Sequence, residues 1–196
     1  PEDHSVKLAK AGMSIDLGGI AKGYAVDEVR AIFAKHHIEN GLINLGASSM
    51  YALGSNAKGG PWRIGIKHPR NDDKDTYLGI VAVSNENIST SGDYERFFEE
   101  NGVRYHHIFD PKTGRPARSG VMSDSVLVDS SIEHGGMLGD MLTTILFVLG
   151  PERGMEFAHS VNGVEAMITT TDGKIYMTDG FKSHFSDLNS DFKLMP

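Results

Sequence analysis

The order of helical and extended patterns limits the fold more than any other feature of the sequence. One helical pattern begins near residue 20, and the next long one begins only near residue 136. Between them, apolar alternation and turn signals predict short strands over 42–45, 50–53, 62–67, 78–83, 87–90, 105–109 and 125–128. Because strands outnumber helices and do not alternate regularly with them, we predict an α+β fold with helices packed on antiparallel sheets.

The first helical pattern has an apolar side and a charged side. Its apolar residues recur at helical spacing and are Ala21, Ala25, Val29, Ile32 and Phe33. Charged residues on the opposite side are Asp27, Glu28, Arg30 and Lys35. The spacing therefore predicts a helix that packs through one face and ends near residue 36.

A glycine pair stands immediately before this helix. A short apolar run ends at Asp16, Gly18 and Gly19 follow, and Lys22 lies in the first turn of the predicted helix. Glycines let the main chain approach a ligand closely, and unpaired N–H groups at a helix N-terminus attract anions. The stretch predicts a corner that binds phosphate, and a purely structural turn is the alternative.

The second long helical pattern, over 136–149, is apolar on nearly every side. Asp140 must therefore be paired or bound to a cation, since an isolated buried carboxylate is costly. Thr144 follows four residues later on the same helical face. A carboxylate and a hydroxyl one turn apart suit a hard cation such as Mg²⁺. Alternatively, Asp140 caps a helix or forms a salt bridge, and Thr144 bonds back to the chain.

Two adjacent histidines lie in the strand predicted over 105–109. Side chains alternate across a strand, so at most one of His106 and His107 faces a given pocket. A histidine with a pKa near neutrality can take a proton from a hydroxyl, and a structural histidine is the alternative. The remaining patterns predict a polar loop at 71–75, a short helix at 153–159 and a closing hairpin of 165–170 with 174–178.

Composition excludes several classes of function. Lysine and arginine number 19 against 26 aspartate and glutamate residues, a net charge of −7, and no basic run is present. Nucleic acid is therefore not an expected partner. The absence of cysteine excludes disulfides, thiolate metal sites and cysteine nucleophiles. The longest apolar stretch, 141–149, is shorter than the roughly 20 residues of a membrane helix.

Four stretches, in this order, resemble the ApbE family of FAD:protein FMN transferases: 16–27, 90–96, 106–116 and 140–150. The resemblance implies an α+β fold of the tunnelling-fold type that binds FAD with Mg²⁺. It also implies transfer of FMN to a threonine or serine hydroxyl of a target flavoprotein, with release of AMP.

The resemblance assigns roles to individual residues. Asp16 and Lys22 would contact FAD, and the strand at Phe109 would lie along it. His107 would activate the acceptor hydroxyl.

A second set of residues would hold the metal. The resemblance implies that the carbonyl of Gly19, with Asp140 and Thr144, binds Mg²⁺. A metal that bridges phosphate oxygens neutralises a pyrophosphate for in-line displacement, so the family and the residue pattern lead to the same chemistry.

The sequence also departs from the family pattern. We expect one domain over 1–196 that lacks the family's amino-terminal portion, and Ala47–Ser49 stands where glycine and aspartate are usual. Mg²⁺-dependent hydrolysis of FAD to FMN and AMP is one alternative function, and a flavin-binding module without turnover is another. From the resemblance we also expect an extracytoplasmic location, with membrane attachment only through a lipid anchor outside this chain.

Overall fold

The computed structural model describes residues 5–71, 73 and 75–196. Its helices are α1 (Ala21–Lys35), α2 (Gly135–Leu149), α3 (Pro151–Ser160) and α4 (Asp179–His184). Its strands are β1 (Gly41–Leu45), β2 (Ser49–Leu53), β3 (Trp62–Lys67), β4 (Tyr77–Val83), β5 (Glu86–Gly92), β6 (Phe97–Glu100), β7 (Val103–His106), β8 (Phe109–Asp110), β9 (Arg115–Pro116), β10 (Val121–Asp129), β11 (Val164–Thr170), β12 (Lys174–Met177), β13 (Phe185–Ser186) and β14 (Lys193–Leu194). The predicted α+β class is confirmed.

The strands form one large sheet and three smaller ones. The large sheet has seven strands in the order β1-β2-β5-β10-β11-β12-β14, and only its β12–β14 pair is parallel. A three-stranded antiparallel sheet has the order β13-β4-β3. Two hairpins, β6–β7 and β8–β9, stand apart from both sheets.

The central strand β10 is buried on both faces. Val126 and Val128 pack with Leu146 and Phe147 of α2 on one face. Leu127 belongs to the cluster on the other face, where the three-stranded sheet covers the large one. Burial of one such leucine or phenylalanine side chain contributes about 1.5–3 kcal/mol. The apolar character of α2 therefore places it at the centre of the molecule and carries Asp140 there with it.

Helix α1 packs through a face that matches the predicted one only in part. Its buried residues are Gly23 and Val26, whereas Ile32 is 53 % exposed. Asp27 and Arg30, predicted on the solvent side, instead bond residues of α2 and of the loop before it. Val29 and Phe33 of the predicted face do pack on the core cluster of Val26, Ile43 and Tyr51. The prediction missed the contact of α1 with α2, because that contact is made through a glycine, which a hydrophobic pattern does not detect.

Other local predictions were met in part. The closing hairpin is confirmed, and α4 was not predicted. The strand predicted over 105–109 is two strands, because β7 ends at His106 and β8 begins at Phe109. The predicted polar loop at 71–75 includes residues 72 and 74, which lie outside the described residues. Among the helices described, none is both long and apolar enough to cross a membrane.

Candidate active site

Helices α1 and α2 cross at a pair of glycines. A Cβ on Gly23 would collide with the carbonyl oxygen of Gly136, and a Cβ on Gly136 would lie 2.6 Å from the carbonyl oxygen of Gly23. Real Cβ atoms essentially never approach other atoms so closely. The two backbones therefore meet directly, which brings the first turn of α1 against the Asp140 turn of α2.

Asp140 is buried at this crossing and is held by α1. Its carboxylate accepts a hydrogen bond from the backbone amide of Gly23 at 3.1 Å, and Lys22 Nζ lies 3.4 Å from its other oxygen. Asp140 is only 4 % exposed, so these contacts offset the cost of burying its charge. Both alternatives considered for Asp140, helix capping and a salt bridge, are therefore present. The two contacts use only part of the hydrogen-bonding capacity of the carboxylate.

Gly19 and Thr144 are also brought together. A Cβ on Gly19 would lie 3.5 Å from Thr144 Oγ1, so the main chain of Gly19 borders that hydroxyl. The sequence left open a hydrogen bond from the Thr144 hydroxyl to its own helix. The neighbouring Thr143 makes such a bond, since its Oγ1 donates to the carbonyl of Asp140 at 2.9 Å. Thr144 therefore faces the glycine corner.

The oxygen atoms at this corner suit a hard divalent cation. One carboxylate, one hydroxyl and a main-chain carbonyl are too few to fill its coordination shell, and Mg²⁺ commonly completes that shell with water and phosphate oxygens. In the described part of the chain, no group of three or more His, Asp or Glu side chains could hold a metal by itself. The donor set thus fits a cation that arrives with a phosphorylated ligand.

The glycine corner is organised differently from the prediction. The amide of Gly18 donates to Asp16 Oδ1 at 2.7 Å, and the amide of Gly23 bonds α2. These two amides are therefore already paired within the chain and do not face a ligand. Lys22, which also donates to the carbonyl of Gly18 at 3.1 Å, supplies the positive charge of the corner.

The two adjacent histidines have opposite environments. His106 is buried, its Nε2 lies 3.0 Å from the carbonyl oxygen of Ala117, and its Nδ1 accepts from the amide of Ile108. These partners require a neutral ring with the proton on Nε2. His107 is exposed. His106 is therefore structural, and His107 is the histidine available to a ligand.

His107 lies within the electrostatic influence of the glycine corner. Partial burial lowers its pKa, and the charges of Arg96 and Lys22 lower it further. A hydrogen bond to the Arg96 backbone and the charge of Glu95 oppose this shift in pKa.

The remaining predicted residues lie at the surface. Asp16 is exposed and forms the turn that precedes Gly18. Phe109 is 56 % exposed and pairs with Pro116 in the β8–β9 hairpin, two residues after His107. Both side chains are accessible to a ligand.

Sequence reasoning missed three contacts that support the site. Asp27 accepts from two amides of α2, and Ser91 donates to Thr143 at 2.8 Å. Asp93 forms a bidentate ion pair with Arg70 at 2.6 and 2.7 Å. Each contact joins residues that are distant in sequence. The sequence contained one signal for the contact of Asp27. No Ser, Thr, Asp or Asn stands at the N-cap position of α2, so the first amides of that helix need an acceptor from elsewhere in the chain.

Fold and site together define an α+β protein with a candidate site for a cation and a phosphorylated ligand. The sequence model of the ApbE family matches residues 2–168. The chain therefore belongs to the ApbE family.

Relatives and solved structures agree with this assignment. The chain is 36 % identical to the FAD:protein FMN transferase of Klebsiella pneumoniae (strain 342), covering 97 % of this chain and 56 % of that protein. It is 41 % identical to the enzyme of that name from Vibrio cholerae, covering 88 % of this chain and 48 % of the relative. The chain thus spans about half the length of these relatives.

Two solved structures show the same fold. The ApbE protein of Thermotoga maritima superposes with a TM-score of 0.77 at 36 % identity, over 90 % of this chain and 55 % of that one. The flavin transferase ApbE of Vibrio cholerae superposes with a TM-score of 0.71 at 38 % identity, over 87 % of this chain and 52 % of that one.

Proposed function

We propose that the protein transfers FMN from FAD to a threonine or serine hydroxyl of a target flavoprotein and releases AMP. The observation that carries the proposal is the convergence of Lys22, Asp140 and Thr144 on the glycine corner. Relatives that share these segments are named FAD:protein FMN transferases, and that name supports the substrate and the class of acceptor.

The reaction joins the acceptor hydroxyl to the phosphorus of the FMN half of FAD. The new bond is from the acceptor oxygen to that phosphorus, and the bond that breaks joins the same phosphorus to the bridging oxygen of the pyrophosphate. The bridging oxygen leaves with AMP. His107 takes the proton of the acceptor hydroxyl, for which a neutral imidazole is required, and its lowered pKa keeps it neutral at physiological pH.

The positive charge that this chemistry needs comes from Lys22 and from Mg²⁺. We propose that the carbonyl of Gly19, the carboxylate of Asp140 and the hydroxyl of Thr144 hold the ion. When bound, Mg²⁺ neutralises the pyrophosphate and orients it for in-line attack. Lys22 binds the same phosphates, and Asp16 and Phe109 contact other parts of FAD.

A protein acceptor explains why the candidate base is exposed. His107 and Phe109 are both accessible from the surface, so a hydroxyl on another protein can reach the site. Water can reach it by the same route, which makes hydrolysis of FAD to FMN and AMP the competing reaction. We also propose, from the family resemblance, an extracytoplasmic location.

One experiment separates transfer from its alternatives. The protein is incubated with FAD, Mg²⁺ and a peptide that contains an acceptor threonine, with the matched alanine peptide as control. A mass gain of one FMN on the threonine peptide, together with AMP, supports transfer. Release of AMP without that gain indicates hydrolysis, and bound flavin without either product indicates a binding module.

A further inference from the structure

Two carboxylates join α1 and α2 in a reciprocal arrangement. Asp140 of α2 accepts from the amide of Gly23 in the first turn of α1. Asp27 of α1 accepts, through its two oxygens, from the amides of Gly136 and Met137 in the first turn of α2, both at 2.9 Å. Each helix thus supplies a carboxylate to the N-terminus of the other.

Neither N-terminus has a cap of its own. Within the described residues, Ile20 and His134 occupy the N-cap positions without a side-chain hydrogen bond, and neither first turn contains an acidic residue. The first amides of a helix need acceptors, and the positive end of its dipole favours a carboxylate. Asp27 satisfies both requirements for α2 from outside that helix.

The hydrogen bonds of Asp27 are decisive for the geometry of the site because the two helices cross at glycines. Gly23 and Gly136 carry no side chains that could fix the register of the two helices at their contact. Asp27 lies one turn after Gly23, and Asp140 lies one turn after Gly136. A shift of α2 along or about its axis would break the bonds of Asp27 and move Asp140 and Thr144 relative to Gly19.

We propose that Asp27 is a positioning residue that holds the metal-binding turn of α2 in register with the glycine corner. It touches neither the metal nor FAD, and it acts through the first turn of α2. The proposal rests on the proposed function, because it concerns the ion assigned to Gly19, Asp140 and Thr144. Residues that orient metal ligands commonly change metal affinity by one to two orders of magnitude when they are replaced.

The test measures binding of Mn²⁺ alone to the folded chain by electron paramagnetic resonance, without FAD and without turnover. For Asp27→Ala we expect a Kd about tenfold higher than that of the wild type. Asp27→Asn keeps one acceptor oxygen in the same shape, and we expect it to restore part of the affinity. Thermal unfolding of each variant is measured first, and Mn²⁺ binding is then compared at a temperature at which all variants are folded.

Two control variants separate positioning from general loss of stability. Glu28→Gln removes the same charge from the next residue of α1, which is exposed. Thr178→Ala removes the N-cap of α4, where Thr178 Oγ1 accepts from Phe181, a residue packed on the opposite face of the large sheet. We expect both controls to bind Mn²⁺ with wild-type affinity, although Thr178→Ala unfolds at a lower temperature.

The outcomes distinguish this proposal from the metal assignment itself. Wild-type affinity in Asp27→Ala, or an equal loss in Thr178→Ala, would overturn the role of Asp27. If Asp140→Ala also binds Mn²⁺ as tightly as the wild type, the metal site itself is wrong. If Asp140→Ala abolishes binding and Asp27→Ala does not, only the positioning role fails.

Discussion

The backbone amide of Gly23 donates a hydrogen bond to the carboxylate of Asp140 across 117 positions of sequence, at 3.1 Å. This bond joins the glycine corner at the start of α1 to the buried turn of α2. It gives the carboxylate a fixed orientation before any ligand binds, and a site whose ligands are already oriented loses less entropy on binding. The contact is therefore the structural centre of the proposed flavin transferase.

Removal of the Asp140 carboxylate should abolish metal-dependent turnover. We expect Asp140→Ala to lower AMP release from FAD by about 100-fold or more, the scale of losing a key electrostatic contact to a reacting group. Liquid chromatography of AMP across a Mg²⁺ titration checks this. Asp187→Asn, which alters a surface ion pair with Arg63, serves as the control and should retain full activity. Unchanged turnover in Asp140→Ala would refute the metal assignment.

Replacement of His107 should slow the chemical step more than it weakens FAD binding. We expect His107→Ala to lower kcat by about 100-fold, as for other general bases, with a much smaller change in the Kd of FAD. Single-turnover kinetics and fluorescence titration measure the two quantities. A defect confined to FAD affinity would assign His107 to the wall of the binding site.

The pH dependence of transfer should report the lowered pKa of His107. A general base must be neutral, and burial with nearby cations moves its pKa below the ordinary 6.5. We therefore expect the wild-type rate to decline as pH falls, with the midpoint of the decline below pH 6.5. A profile of kcat against pH from 5 to 8 checks this, with His107→Ala as the control that should lack the decline. A decline centred above pH 6.5 would contradict the assignment.

A side chain at the glycine crossing should separate the helices. We expect Gly23→Ala to destabilise the fold by about 1–3 kcal/mol, because its Cβ meets the carbonyl of Gly136 and overpacked contacts cost that much. Denaturant unfolding measures the change. Gly60→Ala is the matched control, since a Cβ there has ordinary contacts only. Equal stability of the two variants would show that the crossing tolerates a Cβ.

Asp124 should make stability depend on pH. It is fully buried in β10, and burial raises its pKa well above 3.8, although a hydrogen bond from the backbone of Ser91 opposes this shift. The unfolded chain ionises first, so this group costs the fold about 1.4 kcal/mol for each pH unit above 3.8, until the raised pKa is reached. We expect Asp124→Asn to raise the melting temperature more at pH 8 than at pH 5. An equal difference in melting temperature between the wild type and Asp124→Asn at both pH values would contradict this.

Local spacing in the sequence determined the three longer helices, α1, α2 and α3, and most strands, because side-chain periodicity is a property of a single element. The four-residue spacing of Asp140 and Thr144 likewise placed both on one face of α2. The glycine pair with Lys22 marked the corner that these residues approach. Each of these features depends only on residues that are close in sequence, and each is present in the structure.

Tertiary structure alone decided which backbone groups remain free and which charges are internal. The amide of Gly23 finds its acceptor in α2, and Asp27 faces α2 instead of solvent. Tertiary structure also separated the buried His106 from the exposed His107. The physical reason is that hydrogen bonds and burial join residues about 100 positions apart, and no local pattern records which of them meet.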